Sequence, residues 1–399
     1  MTDGPSQQHP VPVVHIITLL ELGGAQQNTL HTLRSLDRTR YRPVLIAGEG
    51  GMLDHEARAL PDTDVHFLSQ LDRPIHPLKD LAATSAIAAI LKDLSSQGPV
   101  ITHTHSSKAG VVGRWAANRA RVGPVIHSIH GFGQPAIASP WVRWIATAME
   151  RKLAKTTDAF ISVAQTHVEE GKKKGLVGDR PVHVIRSGID LEAFGRADEH
   201  RKQIRESLGW DADTPVVGTI ANFKPQKAPL DFIALAAKVA KERPDARFFF
   251  AGDGTLRSEV ETACTSHGLD DRLLLLGWRQ DVPALFGALD VFVLTSRWEG
   301  LPRVCPQAMA AGKPVVATNV DGIPEAIVDG VNGHLFSPGE TSAGARHVLD
   351  LLNDAKARKT LGKAGREAVK PFDQDLMVRQ QEDLYASLLE DQPRGAQSR

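Results

Sequence analysis

Short apolar runs that stop at a glycine or polar turn, each followed by apolar residues at helical spacing, recur along the chain. This alternation restricts the fold more than any other feature. Residues 13–20, 44–47, 65–68, 100–103, 125–129, 159–162 and 182–185 read as strands, with helices predicted over 26–36, 78–94, 109–120 and 141–155. Apolar runs this short are strands buried on both faces, and helices between them imply parallel pairing. The pattern starts afresh with strands at 216–221, 248–251, 273–276, 291–294 and 315–317 and a helix at 230–242. The expectation is an α/β protein with two doubly wound parallel sheets, joined through the polar stretch within 187–215. A chain of 399 residues with 42% hydrophobic content supports two cores.

Composition removes several classes. Lys+Arg and Asp+Glu are both 47, whereas general nucleic-acid binders are more basic. Cys264 and Cys305 are the two cysteines, which argues for a reducing compartment and against a disulfide framework or structural zinc. No apolar run approaches a membrane span of about 18 residues. Residues 1–12 are polar, lack a signal-peptide core and read as a disordered lead, and 391–399 read as a polar tail. A cytoplasmic protein is expected.

The most informative stretch is 290–325, DVFVLTSRWEGLPRVCPQAMAAGKPVVATNVDGIPE. It reads strand, loop, helix, strand, and open α/β sheets bind ligands at the carboxyl ends of their strands. The helix opening behind Gly300, Leu301 and Pro302 offers N–H groups and a positive dipole end to an anion. Glu299 beside it is ill suited to phosphate but accepts hydrogen bonds from sugar hydroxyls. The pairing points to a sugar nucleotide. Gly23 and Gly24 form a second glycine turn between a strand and a helix, which serves equally for packing or anion binding.

Together with LGGAQQ, HTHSSKAGVVGR, IHGFG, VIRSGIDLEAF, PQKAPLDF, AGDGTLR, LLGWRQDVP and DGVNGHLFSPGE, the stretch resembles the GT-B glycosyltransferases of family 4, the retaining group 1 enzymes. The resemblance covers about 13 to 389. It implies two facing Rossmann-like domains with an interdomain cleft: an acceptor domain at 13–190 completed by a crossover helix at 372–390, and a donor domain at 191–371. It implies transfer from a nucleoside diphosphate sugar, most often a UDP-sugar, to a glycan or polyprenyl-linked acceptor, with no metal and no other cofactor. Retention by same-face attack, assisted by the leaving phosphate, comes from the resemblance alone.

Several positions follow from it. Lys227, placed after a strand end, matches the family's diphosphate-binding lysine; cations stabilise a departing diphosphate. Asn222 stands where many members carry arginine, and Lys224 is a candidate replacement. Glu299 matches the first glutamate of the E-x7-E motif, on the donor sugar, with Gly300, Leu301 and Pro302 beside it. Pro302 has no N–H and shapes the turn. Gln307 replaces the second glutamate, so weaker nucleotide binding is expected, because neutral hydrogen bonds are weaker than charge-assisted ones. Trp278 and Arg279 are placed beside the base. His130, at a strand end, matches the family's active-site histidine. His103, His105, His127 and His130 lack a nearby carboxylate or thiolate in sequence and read as no metal site. Asp62-Thr63-Asp64 and Asp211-Ala212-Asp213 precede strands and read as turns.

Residues 94–149 contain no Asp or Glu but include Lys108, Arg114, Arg119, Arg121 and Arg143. With Ser106, Trp141, Trp144, Arg151, Lys152 and Lys155, they read either as a solvated basic face or as the acceptor side of a peripheral protein that contacts anionic membrane through 108–155. The competing functions are a GT-B sugar-nucleotide epimerase and a degenerate sugar-nucleotide-binding subunit. Only Asn222 and Gln307 favour the latter.

Overall fold

The computed structural model describes residues 9–131 and 140–391, with the side chains of residues 140, 142 and 143 outside the description. The chain divides into two compact units, 1–187 with 374–399, and 188–373.

The first unit holds seven strands: β1 (Val11–Leu19), β2 (Tyr41–Gly48), β3 (Asp64–Phe67), β4 (Ile101–His105), β5 (Val125–Ile129), β6 (Ala159–Ser162) and β7 (Val182–Val184). Their order is β3-β2-β1-β4-β5-β6-β7, with every pair parallel. β1 begins at Val11, inside the expected lead, because Val11 pairs with Tyr41 and donates to the Arg40 carbonyl at 2.9 Å. β4 runs on to His105, which pairs with Ser128. Side chains alternate across a strand. Val14 and Ile16 therefore pack with Ile87, Leu91, Val112 and Ala116 of the helices Pro77–Leu94 and Ser107–Ala120. Val13, Ile101, Ile126 and Ile161 meet Met377, Val378, Leu384 and Tyr385 of the last helix, Gln374–Glu390.

The second unit holds β8 (Val216–Ile220), β9 (Arg247–Ala251), β10 (Leu273–Gly277), β11 (Val291–Leu294), β12 (Val315–Thr318) and β13 (Gly333–Phe336). Their order is β10-β9-β8-β11-β12-β13, again parallel. β13 and the helices Thr341–Asn353 and Ala355–Ala368 extend the pattern read above. Both sheets reverse direction beside their first strand, between β1 and β4 and between β8 and β11. That reversal opens a crevice at the carboxyl ends of the strands, where such sheets bind ligands. Asp62 lies in a turn before β3, and Ala212 and Asp213 lie in a turn before β8, as read from sequence; Asp64 departs from that reading, because it opens β3 and pairs with Val44.

Candidate functional site

In the second unit the candidates collect at the β8–β11 reversal. Phe223 leaves β8 and is buried edge-on against Phe250, with ring centroids 4.5 Å apart, which anchors the loop that follows. Lys227 ends that loop, and Glu299 follows β11. The two form an ion pair, Nζ to Oε1 at 2.5 Å. Glu299 is almost fully buried. A buried carboxylate persists only when paired and hydrogen-bonded. Ser296 Oγ donates to it at 2.6 Å and Gln226 Nε2 at 3.4 Å. The Glu299 N–H donates to Asp321 Oδ2 at 2.7 Å, and Gln226 Nε2 to the Trp298 carbonyl at 3.0 Å. Loops after β8, β11 and β12 are thus laced around one residue, Glu299. Ala228 and Asp321 take φ of +44° and +43°, left-handed values that side chains rarely adopt. Lys227 and Glu299, read from sequence as separate contacts, form one preorganised unit.

The flanking residues are fixed by backbone. Gly252 has φ +139°, and a Cβ there would lie 2.0 Å from the Ala221 carbonyl oxygen. The turn after β9 therefore rests directly on the loop carrying Asn222 and Lys224, both partly buried. Trp278 is 40% exposed at the end of β10. Arg279 beside it is clamped by Asp281, at 2.7 and 2.5 Å. The Gly300 carbonyl accepts from Gly322 N–H at 3.1 Å, and Leu301 and Pro302 are buried. The helix after them, Val304–Ala310, is only two turns long and buries Gln307.

In the first unit, Gly23 is the extended residue before the helix Gly24–Ser35. Ser106 joins β4 to its helix at φ +63°, and its Oγ lies 2.9 Å from Thr18 Oγ1. Ser106, Lys108, Thr18, Gln26 and Arg73 help line a cavity of about 170 Å³. Lys108 departs from the reading of a cationic acceptor face. Its ammonium is paired with Asp72 at 2.9 Å and Asp80 at 2.7 Å and also bonds the Pro74 carbonyl. Hydrogen bonds from Lys108 and then Lys79 pull the Asp72 carboxyl down to about 2. Arg114 is fully buried and paired with Glu150 at 2.5 Å. An acid-free stretch of sequence thus receives its carboxylates from neighbouring segments. The basic surface lies further on, where Arg151, Lys155, Lys172, Lys173, Lys174 and Arg180 line a cavity of about 770 Å³. On the helix Pro140–Ala154 leading to it, Trp141 and Trp144 are 74% and 65% exposed.

The four histidines separate by sheet face. His127 bonds Thr104 at 2.9 Å on the side of the helix Ser107–Ala120, where a Cβ on Gly110 would meet its ring. His103, His105 and His130 lie on the opposite face with His15 of β1, which sequence reading missed. His15 was visible as the one ionisable residue inside an apolar strand, and its register partner is His103. Ring nitrogens of His15, His103 and His105 lie within 4.8 Å of one another. His15 Nδ1 and His105 Nε2 are 2.9 Å apart. That is closer than two nitrogens sharing a tetrahedral zinc, at roughly 3.3 Å for bonds of about 2.0 Å. They are hydrogen-bonded to each other. Burial lowers His15 to about 3 and His130 to about 4, and pushes His103, His105 and His127 well below the usual imidazole range. All are neutral at pH 7. The rest of IHGFG, Phe132 and Gly133, lies outside the described residues, as does the side chain of Arg143.

Comparison with known proteins gives the same direction. The family described as glycosyl transferases group 1 matches residues 200–368, and glycosyltransferase family 4 matches 22–193. The chain is 29% identical over 391 residues to the UDP-Gal:alpha-D-GlcNAc-diphosphoundecaprenol alpha-1,3-galactosyltransferase of Escherichia coli, covering 96% of this chain and 99% of that one. HepE from Anabaena, solved with UDP and glucose, superposes with a TM-score of 0.80 at 23% identity, covering 95% of this chain and all of that one. Sucrose-phosphate synthase from Thermosynechococcus elongatus does so at 0.79 and 20%, covering 96% and all of that chain. Two parallel α/β units matched in tandem by these families identify the chain as a GT-B glycosyltransferase belonging to glycosyl transferases group 1.

Proposed function

We propose that the enzyme moves a sugar from a nucleoside diphosphate sugar, with UDP as the nucleotide, to a polyprenyl-linked or glycan acceptor in envelope polysaccharide or glycolipid synthesis. The observation that carries this is the Lys227–Glu299 pair at the β8–β11 reversal, a cation and a sugar-hydroxyl acceptor held in one fixed geometry. The E. coli relative is named for a UDP-sugar donor and a diphosphoundecaprenol-linked acceptor, and HepE was solved with UDP.

In this reading Lys227 stabilises the diphosphate as the bond from the sugar anomeric carbon to phosphate oxygen breaks. The acceptor oxygen bonds that carbon on the same face, and its proton passes to the departing phosphate. Glu299 and the Gly300–Pro302 backbone hold the sugar. Asn222, Lys224, Trp278, Arg279 and Gln307 border the nucleotide. The first unit takes the acceptor, with His130, Ser106 and the turn at Gly23 and Gly24 at its strand ends. No metal or other cofactor is required by this scheme. The protein works at the cytoplasmic face, where Trp141 and Trp144 enter the interface of an anionic membrane and the basic cavity at 151–180 meets its phosphates.

The test is UDP release from a panel of UDP-sugars with a polyprenyl diphosphate-linked glycan, with and without EDTA, and anomeric analysis of the product by NMR. Release unaffected by EDTA, with a retained product, is expected. No release with any donor, an inverted product or loss with EDTA overturns the corresponding part. Flotation with anionic liposomes at low salt tests membrane contact, and a Trp141→Ser, Trp144→Ser protein should stay at the bottom of the gradient. Wild-type protein that does not float sinks that part.

A further inference from the structure

Six side chains in the first unit form a continuous hydrogen-bonded chain beneath the last helix. His130 Nε2 meets His105 Nδ1 at 3.2 Å, and His105 Nε2 meets His15 Nδ1 at 2.9 Å. His15 Nε2 meets Tyr385 Oη at 3.4 Å. Tyr385 Oη also meets His103 Nδ1 at 2.7 Å, and His103 Nε2 meets Ser128 Oγ at 2.8 Å. Beyond it, Tyr385 Oη lies 3.3 Å from Oε1 of the buried Gln381.

Each neutral imidazole has one donor and one acceptor nitrogen, so the protons along the chain are not independent. Tyr385 has one proton and three neighbours. If it donates to Gln381, its oxygen accepts from both His15 Nε2–H and His103 Nδ1–H. His15 Nδ1 then accepts from His105 Nε2–H, and His105 Nδ1 accepts from His130 Nε2–H. Ser128 supplies the proton for His103 Nε2. Every contact is satisfied at once. Donation from Tyr385 to His103 leaves the same arrangement at His130 but leaves the Gln381 oxygen without the phenol proton. Only donation to His15, across the longest of the contacts, reverses it, again without serving Gln381. Buried polar groups are paired in folded proteins.

We propose that Tyr385, His15 and His105 are positioning residues that fix His130 as the Nε2–H tautomer and present its Nδ1 lone pair as a hydrogen-bond acceptor at the end of β5. The last helix thereby sets the chemical character of a ring at the opposite end of the chain of bonds. Burial, which keeps all four histidines uncharged near neutrality, supports the arrangement. The inference rests on the reading that His130 belongs to the transfer site.

The experiment uses the full chain labelled with [15N]histidine. Two-bond proton–nitrogen correlation distinguishes the tautomers, and a His130→Ala protein assigns the signal. The wild type should show His130 protonated on Nε2. Tyr385→Phe removes the acceptor for His15 Nε2–H, and a buried N–H without a partner costs more than a bare lone pair. The chain should reverse, leaving His130 protonated on Nδ1, with kcat lowered about tenfold and donor KM unchanged. Wild-type His130 protonated on Nδ1 overturns the proposal without any variant having to fold. So does a folded Tyr385→Phe protein with an unaltered tautomer. A His130→Ala protein with wild-type turnover instead removes His130 from the site and leaves the tautomer result standing.

Discussion

The histidine cluster makes the first unit sensitive to mild acid, and the size of the effect follows from burial. An unfolded histidine titrates near 6.5, whereas His15 and His130 are lowered to about 3 and about 4 in the folded protein. Between those values the unfolded chain binds protons that the folded one refuses, so stability is complete above about pH 7 and falls as pH drops through 6.5. At pH 5.5 each such group costs about 1.4 kcal/mol, and these two together about 3 kcal/mol. His103, His105 and His127 shift in the same direction and add to the loss. Domain stabilities are roughly 5–15 kcal/mol, so the unit should be close to unfolding at pH 5. Asp72, at about 2, contributes only below about pH 4, which leaves this window to the histidines. In residues 188–373, the partly buried His347 is lowered as well, by burial first. Hydrogen exchange followed by mass spectrometry from pH 8 to 5.5, corrected for intrinsic rates, separates the units. Peptides from β1, β4 and β5 should lose protection well before those from β8 and β11. Equal protection of both units across the range would refute the reasoning.

Three further outcomes are expected. Lys227→Met leaves Glu299 buried without its cation, which costs about 3–5 kcal/mol, and should reduce turnover about 100-fold or more; unchanged UDP release in a steady-state assay would rule out its role. Gln307→Glu should tighten donor binding about fivefold by titration calorimetry, as charge-assisted hydrogen bonds replace neutral ones, and equal or weaker binding would count against that position. Gly252→Ala drives a methyl group into the Ala221 carbonyl at a backbone angle suited to glycine, so thermal shift should show a lower Tm and a smaller rise on adding UDP; a wild-type profile would disprove the close packing.

Much of the fold was legible because both sheets are parallel and buried, so each strand announces itself as a short apolar run. Residues 291–294 were read to the residue, and 125–129 likewise. Strand ends were less clear where pairing overrides composition, as at Val11 and His105. Lys227 and Glu299 were singled out by motif, but their ion pair was not. It depends on two loops 72 residues apart in sequence meeting at the sheet reversal. The neutralisation of Lys108 was hidden for the same reason, since Asp72 and Asp80 come from another segment. Tyr385 carried no local signal at all. Its meaning lies in a sheet face assembled from β1, β4 and β5.

The return of the last helix to the first sheet also sets an order of assembly on the ribosome. Residues 188–373 emerge before the helix Gln374–Glu390 that covers the first sheet, so the second unit has its whole sequence in hand while the first still waits for its closing piece. Until that helix emerges, His15 and His103 lack the phenol they bond. A chain stopped before residue 374 leaves the apolar face of Val13, Ile101, Ile126 and Ile161 without the residues that cover it. The helix that finishes the first unit is therefore made only after the whole of the second.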